Sequence, residues 1–129
     1  MKHIQLIGKP WVANARGPDS FDCWGLVRHW YGAELGIKLP DTPVSAIDLV
    51  LVAKEMQSAI KSSLWEEETT WEDNQVVAMG RNKIITHVGV HMAGGYVLHC
   101  SREAGGVTVQ TISQLQRKWR TLKTYKYIG

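Results

Sequence analysis

Residues 84–101 constrain the fold of this chain more than any other stretch. Ile85-Thr86-His87-Val88-Gly89-Val90-His91 alternates with period two, and Tyr96-Val97-Leu98-His99-Cys100 resumes the alternation after Ala93-Gly94-Gly95. Period two sends successive side chains to opposite faces of a sheet, so the pattern reads as a β-hairpin. A three-residue loop with a left-handed glycine is a common hairpin connection. It pairs residues of equal parity and sets Gly89 opposite His99. His87 and His99 then become diagonal neighbours on one face, ~7–8 Å apart in backbone, and Gly89 leaves room between them. A two-residue loop would send the two histidines to opposite faces.

The same period-two pattern governs the C-terminal half. Strands are expected at Gln75–Met79, Ile84–Met92, Tyr96–Ser101, Val107–Thr111 and Trp119–Ile128, with a helical turn at Ser113–Lys118. The N-terminal half has helical spacing instead. Residues 1–18 form a lead-in that ends in the loop Asn14-Ala15-Arg16-Gly17-Pro18. Asp19 or Ser20 is then expected to cap a helix running to about Leu35, with Phe21, Leu26 and Trp30 on its apolar face and Gly36 as its stop. Pro40 and Pro43 keep the next loop from being helical. A second helix is expected from Ser45 to about Ser62, with Asp48 in its first turn. Helices first and antiparallel strands after describe an α+β fold, N-terminal helices packed on an antiparallel sheet. A length of 129 residues suits a single domain over 1–129.

Composition narrows the functional classes. No apolar run approaches the ~18 residues of a membrane span. Met1-Lys2-His3-Ile4-Gln5 has none of the long apolar stretch of a Sec-type signal peptide. The expectation is a chain made in the cytoplasm and carried elsewhere by something other than its own leader. Fifteen basic and twelve acidic side chains leave a net charge of +3. That mild excess suits an anionic polymer and suits ordinary solubility equally well. The basic cluster Arg117, Lys118, Arg120, Lys123 and Lys126 reads as a solvated face, and no nucleic-acid motif is present. Two cysteines, Cys23 and Cys100, are too few for a disulfide scaffold.

Cys23 falls in the opening turn of the first long helix. Free N–H groups and the helix dipole there favour a thiolate, the form a cysteine nucleophile needs. The competing reading is a buried structural thiol. A base histidine needs a third group to fix its tautomer, and His99 can serve His87 in this way. His87, His91, His99, Cys23 and Cys100 are also zinc-ligand types. None of the usual close-spaced ligand pairs occurs, however, and His87-x3-His91 falls on a strand rather than a helix.

Together these residues resemble a known family. Phe21-Asp22-Cys23-Trp24-Gly25-Leu26-Val27 resembles the nucleophile motif of NlpC-type cell-wall peptidases. Thr86-His87-Val88-Gly89-Val90 with Val97-Leu98-His99 resembles their paired-histidine segment. The order also matches: cysteine on the first helix, then two histidines on successive strands. The resemblance runs from about Pro10 to Gly129. It implies a compact papain-like fold and a Cys23-His87-His99 triad that needs no metal and no cofactor. It implies the peptide stem of peptidoglycan as substrate, cut between D-glutamate and a diamino acid. Asp22, Trp11, Trp24 and Thr86 are the positions implied to border that substrate, Asp22 near its amino end. Where the family often has Ser after the cysteine this chain has Trp24, and Trp11 stands in the place of a common Tyr. Glu72-Asp73-Asn74 replaces a Pro-Gly-Asp. Cys23-Trp24-Gly25-Leu26-Val27-Arg28 followed by Leu35-Gly36-Ile37-Lys38-Leu39-Pro40 is most similar to the branch found in phage tails and gene-transfer particles. That branch implies a virion-associated chain with other tail-tip proteins as partners. A structural tail-tip protein of the same fold, with little activity, is the alternative. On this resemblance His87 and His99 share a cleft wall with Cys23 above it, and His91 lies at the cleft edge or outside.

Overall fold

The computed structural model describes residues 2–40, 64–82 and 84–129. The helix expected at Ser45–Ser62 lies outside the described residues. A short 3-10 turn, Lys2–Gln5, opens the chain, followed by helix α1, Cys23–Leu35. The remainder is β1 Trp65–Glu68, β2 Val76–Gly80, β3 Ile85–Met92, β4 Tyr96–Ser101, β5 Gly106–Thr111, α2 Ile112–Lys118 and β6 Thr121–Tyr127. The six strands form one sheet in the order β1-β6-β2-β3-β4-β5, every pair antiparallel.

Helix α1 starts later than Asp19 or Ser20. Phe21 bridges Trp11 and Arg16 in extended conformation, so the chain is not yet free to coil. Asp22 is the cap. Its backbone is extended (φ −98°, ψ −175°), and one carboxylate oxygen accepts from the Gly25 N–H at 2.7 Å. The other accepts from the Asn14 N–H at 3.1 Å and from the Arg16 guanidinium at 2.8 Å. An Asp at this position satisfies a helix-start donor that would otherwise be orphaned. Cys23 is thereby the first helical residue. Gly36, in the left-handed region at φ 66°, ends the helix as expected.

The sheet has a distinct core on each face. On one face, Phe21, Cys23, Trp24, Leu26, Val27, Trp30 and Tyr31 pack with Val76, Ala78, Val88, Val90, Leu98 and Cys100. On the other, Val77, Met79, Val97 and Leu115 of α2 pack with Trp71, Ile112, Trp119 and Leu122. Strand alternation accounts for the division: even-numbered residues of β2 and β4, and of β3 from Val88 on, face α1 and odd-numbered ones face α2, while the bulge at Met79/Gly80 lets Ile85 join the α1-side core. α1 is pinned to the sheet through Asn74. The Trp30 indole N–H donates to its side-chain oxygen at 2.9 Å, and the Tyr31 hydroxyl donates to its carbonyl.

Strand β1 was not expected from the sequence. Trp65-Glu66-Glu67-Glu68 has low intrinsic strand preference, and its pairing with Tyr127-Lys126-Tyr125-Thr124 of β6 sets Glu66 opposite Lys126. Lys123 also reaches Glu67 at 3.5 Å. Cross-strand opposite charges of this kind stabilise a sheet edge.

Asp22→Ala removes the cap and one carboxylate contact of the Arg16 guanidinium. The expected cost is at least about 2 kcal/mol of unfolding free energy, measured as a lowered urea midpoint at unchanged m-value. Asp22→Asn, which keeps the cap acceptor and loses the charge, should recover part of it.

Candidate active site

The hairpin has the expected geometry. Ala93-Gly94-Gly95 joins β3 to β4, with Gly94 and Gly95 both left-handed, and Gly89 pairs with His99. A Cβ on Gly89 would stand 2.8 Å from the Leu98 carbonyl oxygen and 2.9 Å from the His99 Cβ, so only glycine fits this close approach. His87 and His99 lie on the α2 face. His87 Nε2 and His99 Nδ1 are 2.9 Å apart, and the rings meet edge to face at 78°. A bulge at Met79/Gly80 leaves Thr86 without a partner, directly before His87.

Two further residues hold the pair, and sequence reasoning missed both. Gln110 of β5 places its Oε1 2.8 Å from His99 Nε2. Trp119, just past α2, stacks on the His87 ring at 5.7 Å and 14°. The guanidinium of Arg81 and the ammonium of Lys118 both lie against the Trp119 ring. The only signal for Gln110 was its parity, which sets it opposite Val97 and diagonal to His99. Burial lowers the pKa of His87 well below its ordinary 6.5, reinforced by His99 and Lys118. Burial also lowers that of His99, against the hydrogen bond to Gln110. Both rings are therefore neutral at neutral pH.

Cys23 is positioned by a break in the sheet. The His91 N–H donates to Gln75 of the β2 side at 2.8 Å, so by alternation the Val88 N–H points toward β4. The β3–β4 ladder stops at Gly89–His99. Cys100, next in register to Val88, keeps only its β5 partner, Val107. The Cys23 sulfur occupies this break and is hydrogen-bonded by the backbone of Val88 and of Trp24. Cys23 thus lies against the residue that follows His87, reached from the α1 side of the sheet. The body of α1 packs on the face opposite the histidines, where Val88 and Val90 supply its apolar seat, and the Cys23 sulfur at its start enters the plane of the sheet at the break.

The expected thiolate is also corrected. Burial, and next the Asp22 carboxylate, push the Cys23 thiol up to about 12, and the two backbone hydrogen bonds offset only part of this. The helix start favours an anion, but desolvation in the core outweighs it. Cys100 is buried as well, donates to the Phe21 carbonyl at 3.2 Å and is likewise pushed up to about 12.

Four positions were expected to border substrate. Trp24 does not: it is 1% exposed, and its indole N–H donates to the Pro40 carbonyl at 3.3 Å. At the second position of α1 its side chain turns into the core. Asp22 is 3% exposed, with both oxygens taken by the helix start, Asn14 and Arg16, and is a structural residue in this fold. Trp11 is half-buried beneath the Arg102 guanidinium at 5.5 Å, and Thr86 is half-buried beside His87. His91 is buried and lies outside the His87–His99 pair. Its Nδ1 is 2.7 Å from the Glu72 carbonyl, and its ring meets Trp71 edge to face.

The profile of the NlpC/P60 family matches residues 8–125, which include Cys23, both histidines and Gln110. The chain belongs to the NlpC/P60 family. It is 33% identical over 106 residues to the bifunctional muramidase/DL-endopeptidase CwlT of Bacillus subtilis (strain 168). That match takes in 79% of this chain but 28% of the relative, so the chain spans about a quarter of the length of the curated protein it matches. Among solved structures it is similar to the NlpC/p60 domain of the peptidoglycan hydrolase SagA (TM-score 0.65, 19% identity, 95% of this chain and 92% of the other). It is also similar to NlpC1 from Trichomonas vaginalis (TM-score 0.68, 19% identity, 97% of this chain and 41% of the other). RipB from Mycobacterium tuberculosis is a third (TM-score 0.62, 19% identity, 98% and 62%). These likenesses establish the α+β, papain-like NlpC-type fold.

Two measurements follow from the electrostatics. With a thiol at about 12, alkylation of Cys23 by iodoacetamide should accelerate about tenfold per pH unit from pH 7 to 9, without a plateau. A plateau in that range would show a depressed thiol. The histidine shifts act on stability with the opposite pH dependence. The folded pKa values lie below the unfolded 6.5, so below that pH the unfolded chain binds more protons and stability falls. The thermal midpoint should drop as pH is lowered from 7 to 5, and His87→Gln/His99→Gln should show a shallower drop.

Proposed function

We propose that this chain is a cysteine endopeptidase acting on the peptide stems of peptidoglycan, with Cys23 as nucleophile, His87 as base and His99 orienting His87. The observation that carries the reading is the hydrogen-bonded His87–His99 pair beside the ladder break that holds the Cys23 sulfur. His87 has one ring nitrogen engaged by His99, which leaves Nδ1 for the thiol proton. As the Cys23 sulfur attacks the scissile carbonyl, His87 Nδ1 takes the thiol proton, and it then gives that proton to the leaving amine. Water, activated by the same nitrogen, attacks the thioester and releases the acid. Because thiol and imidazole both rest neutral, proton transfer accompanies attack rather than preceding it.

The DL-endopeptidase named for the Bacillus subtilis relative supports a stem peptide as substrate. We read the bond as that between D-glutamate and the diamino acid. Thr86 and Trp11 remain available to border the substrate, whereas Trp24 and Asp22 act from within the fold. The setting we propose is a phage tail tip, with other tail-tip proteins as partners, on the Cys23–Arg28 and Leu35–Pro40 segments. An inactive structural role fits less well. Trp24, 1% exposed, packs in the core and does not fill a cleft.

Digestion of purified peptidoglycan, with mass analysis of the fragments, tests the reading. Wild type should release fragments ending in D-glutamate. Cys23→Ala should release none above background, and His87→Ala should slow release by ~10²–10⁴-fold. Equal release by wild type and Cys23→Ala at unchanged thermal midpoints would overturn it.

A further inference from the structure

We infer that Gln110 is a positioning residue that fixes the tautomer of both histidines and so leaves the thiol-facing nitrogen of His87 unprotonated. The inference rests on the reading of His87 as the base. A side-chain amide oxygen only accepts hydrogen bonds. With Gln110 Oε1 2.8 Å from His99 Nε2, that nitrogen must carry a proton. A neutral imidazole has one N–H, so His99 Nδ1 is then an acceptor. At 2.9 Å from it, His87 Nε2 must be the donor. His87 is neutral too, so its Nδ1 holds a lone pair. One acceptor on β5 thus sets a proton position two rings away.

Nothing within the two rings favours this arrangement. If the amide were turned, its N–H₂ would donate to His99 Nε2. His99 Nδ1–H would donate to His87 Nε2, and His87 Nδ1 would carry a proton and could not accept another. The two arrangements have equal numbers of hydrogen bonds, and only one is a base. The strand register makes the contact available. Thr108 is opposite His99 and Gln110 is opposite Val97, so Gln110 reaches His99 along the diagonal of the same face.

The test is ¹⁵N NMR of the imidazoles in the full chain at pH 7.5, on wild type, Gln110→Leu and Gln110→Glu, with steady-state kinetics on a stem peptide. In wild type both histidines should show a protonated Nε2 and an unprotonated Nδ1. Gln110→Leu removes the acceptor, so both rings should become tautomer mixtures, and kcat should fall about tenfold with KM changed less than twofold. Gln110→Glu keeps an acceptor oxygen and should restore the wild-type tautomers and most of kcat. A protonated Nδ1 on His87 in wild type would overturn the inference. So would unchanged tautomers and kcat in Gln110→Leu, and a Gln110→Glu protein, folded by thermal melt, that rescues neither. The NMR readout needs no turnover. Wild-type tautomers as stated in a protein without peptidase activity would therefore count against the peptidase reading alone.

Discussion

The site depends on one interrupted β-ladder. From Met92 to Gly89 the β3–β4 hairpin is regular, but beyond Gly89–His99 the two strands part, and the end of β4 stays paired with β5 alone. An interior strand with an unpaired N–H at Val88 would be costly. The first residue of α1 fills the gap, and the Cys23 sulfur takes the hydrogen bond. The same break thus satisfies a backbone donor, seats the helix start and brings sulfur next to the histidine strand. Asp22 makes this placement repeatable, because its carboxylate ties the helix start to Asn14 and Arg16.

The electrostatics follow from burial. A Cys23 thiol pushed up to about 12 and a His87 imidazole held well below 6.5 both rest neutral, so neither is stored as an ion. On the proposed mechanism, charge would appear only during attack, when the imidazolium of His87 would be met by the lone pair of His99 and the Trp119 ring. Lys118, whose ammonium lies against the same indole, opposes a resting positive charge on His87. The arrangement favours a base that is ready to accept a proton and reluctant to hold one beforehand.

Two tryptophans show how chemistry and packing separate. Trp11 and Trp24 stand where the family resemblance sets polar residues, and both looked like cleft residues for that reason. Trp24 is core, because the second position of α1 faces the Pro40 carbonyl, to which its indole N–H donates. Trp11 is on the lead-in, bridged to Phe21 and capped by Arg102, and stays half open. His91 shows the same lesson on β3. It shares a face with His87, yet the Glu72 carbonyl and Trp71 claim it.

The sequence by itself determined the hairpin and its parity. Period two around Ala93-Gly94-Gly95 admits one register with both histidines on a single face, and a glycine between them is read directly from the chain. It determined the α+β order, the stop of α1 at Gly36 and the family, because these rest on local spacing and on short motifs. Strand β1 was not legible, since its three glutamates take strand form only against the lysines of β6. Tertiary structure alone decided where α1 begins, because the Asp22 partners Asn14 and Arg16 lie upstream in a loop with no periodicity. It decided the charge state of Cys23, because the helix start and the core act in opposite directions and only the depth of burial settles the sign. It also decided which sheet face meets α1, and that His99 finds Gln110. Sequence spacing says which side chains share a face, while contact across strands depends on how the whole sheet is assembled.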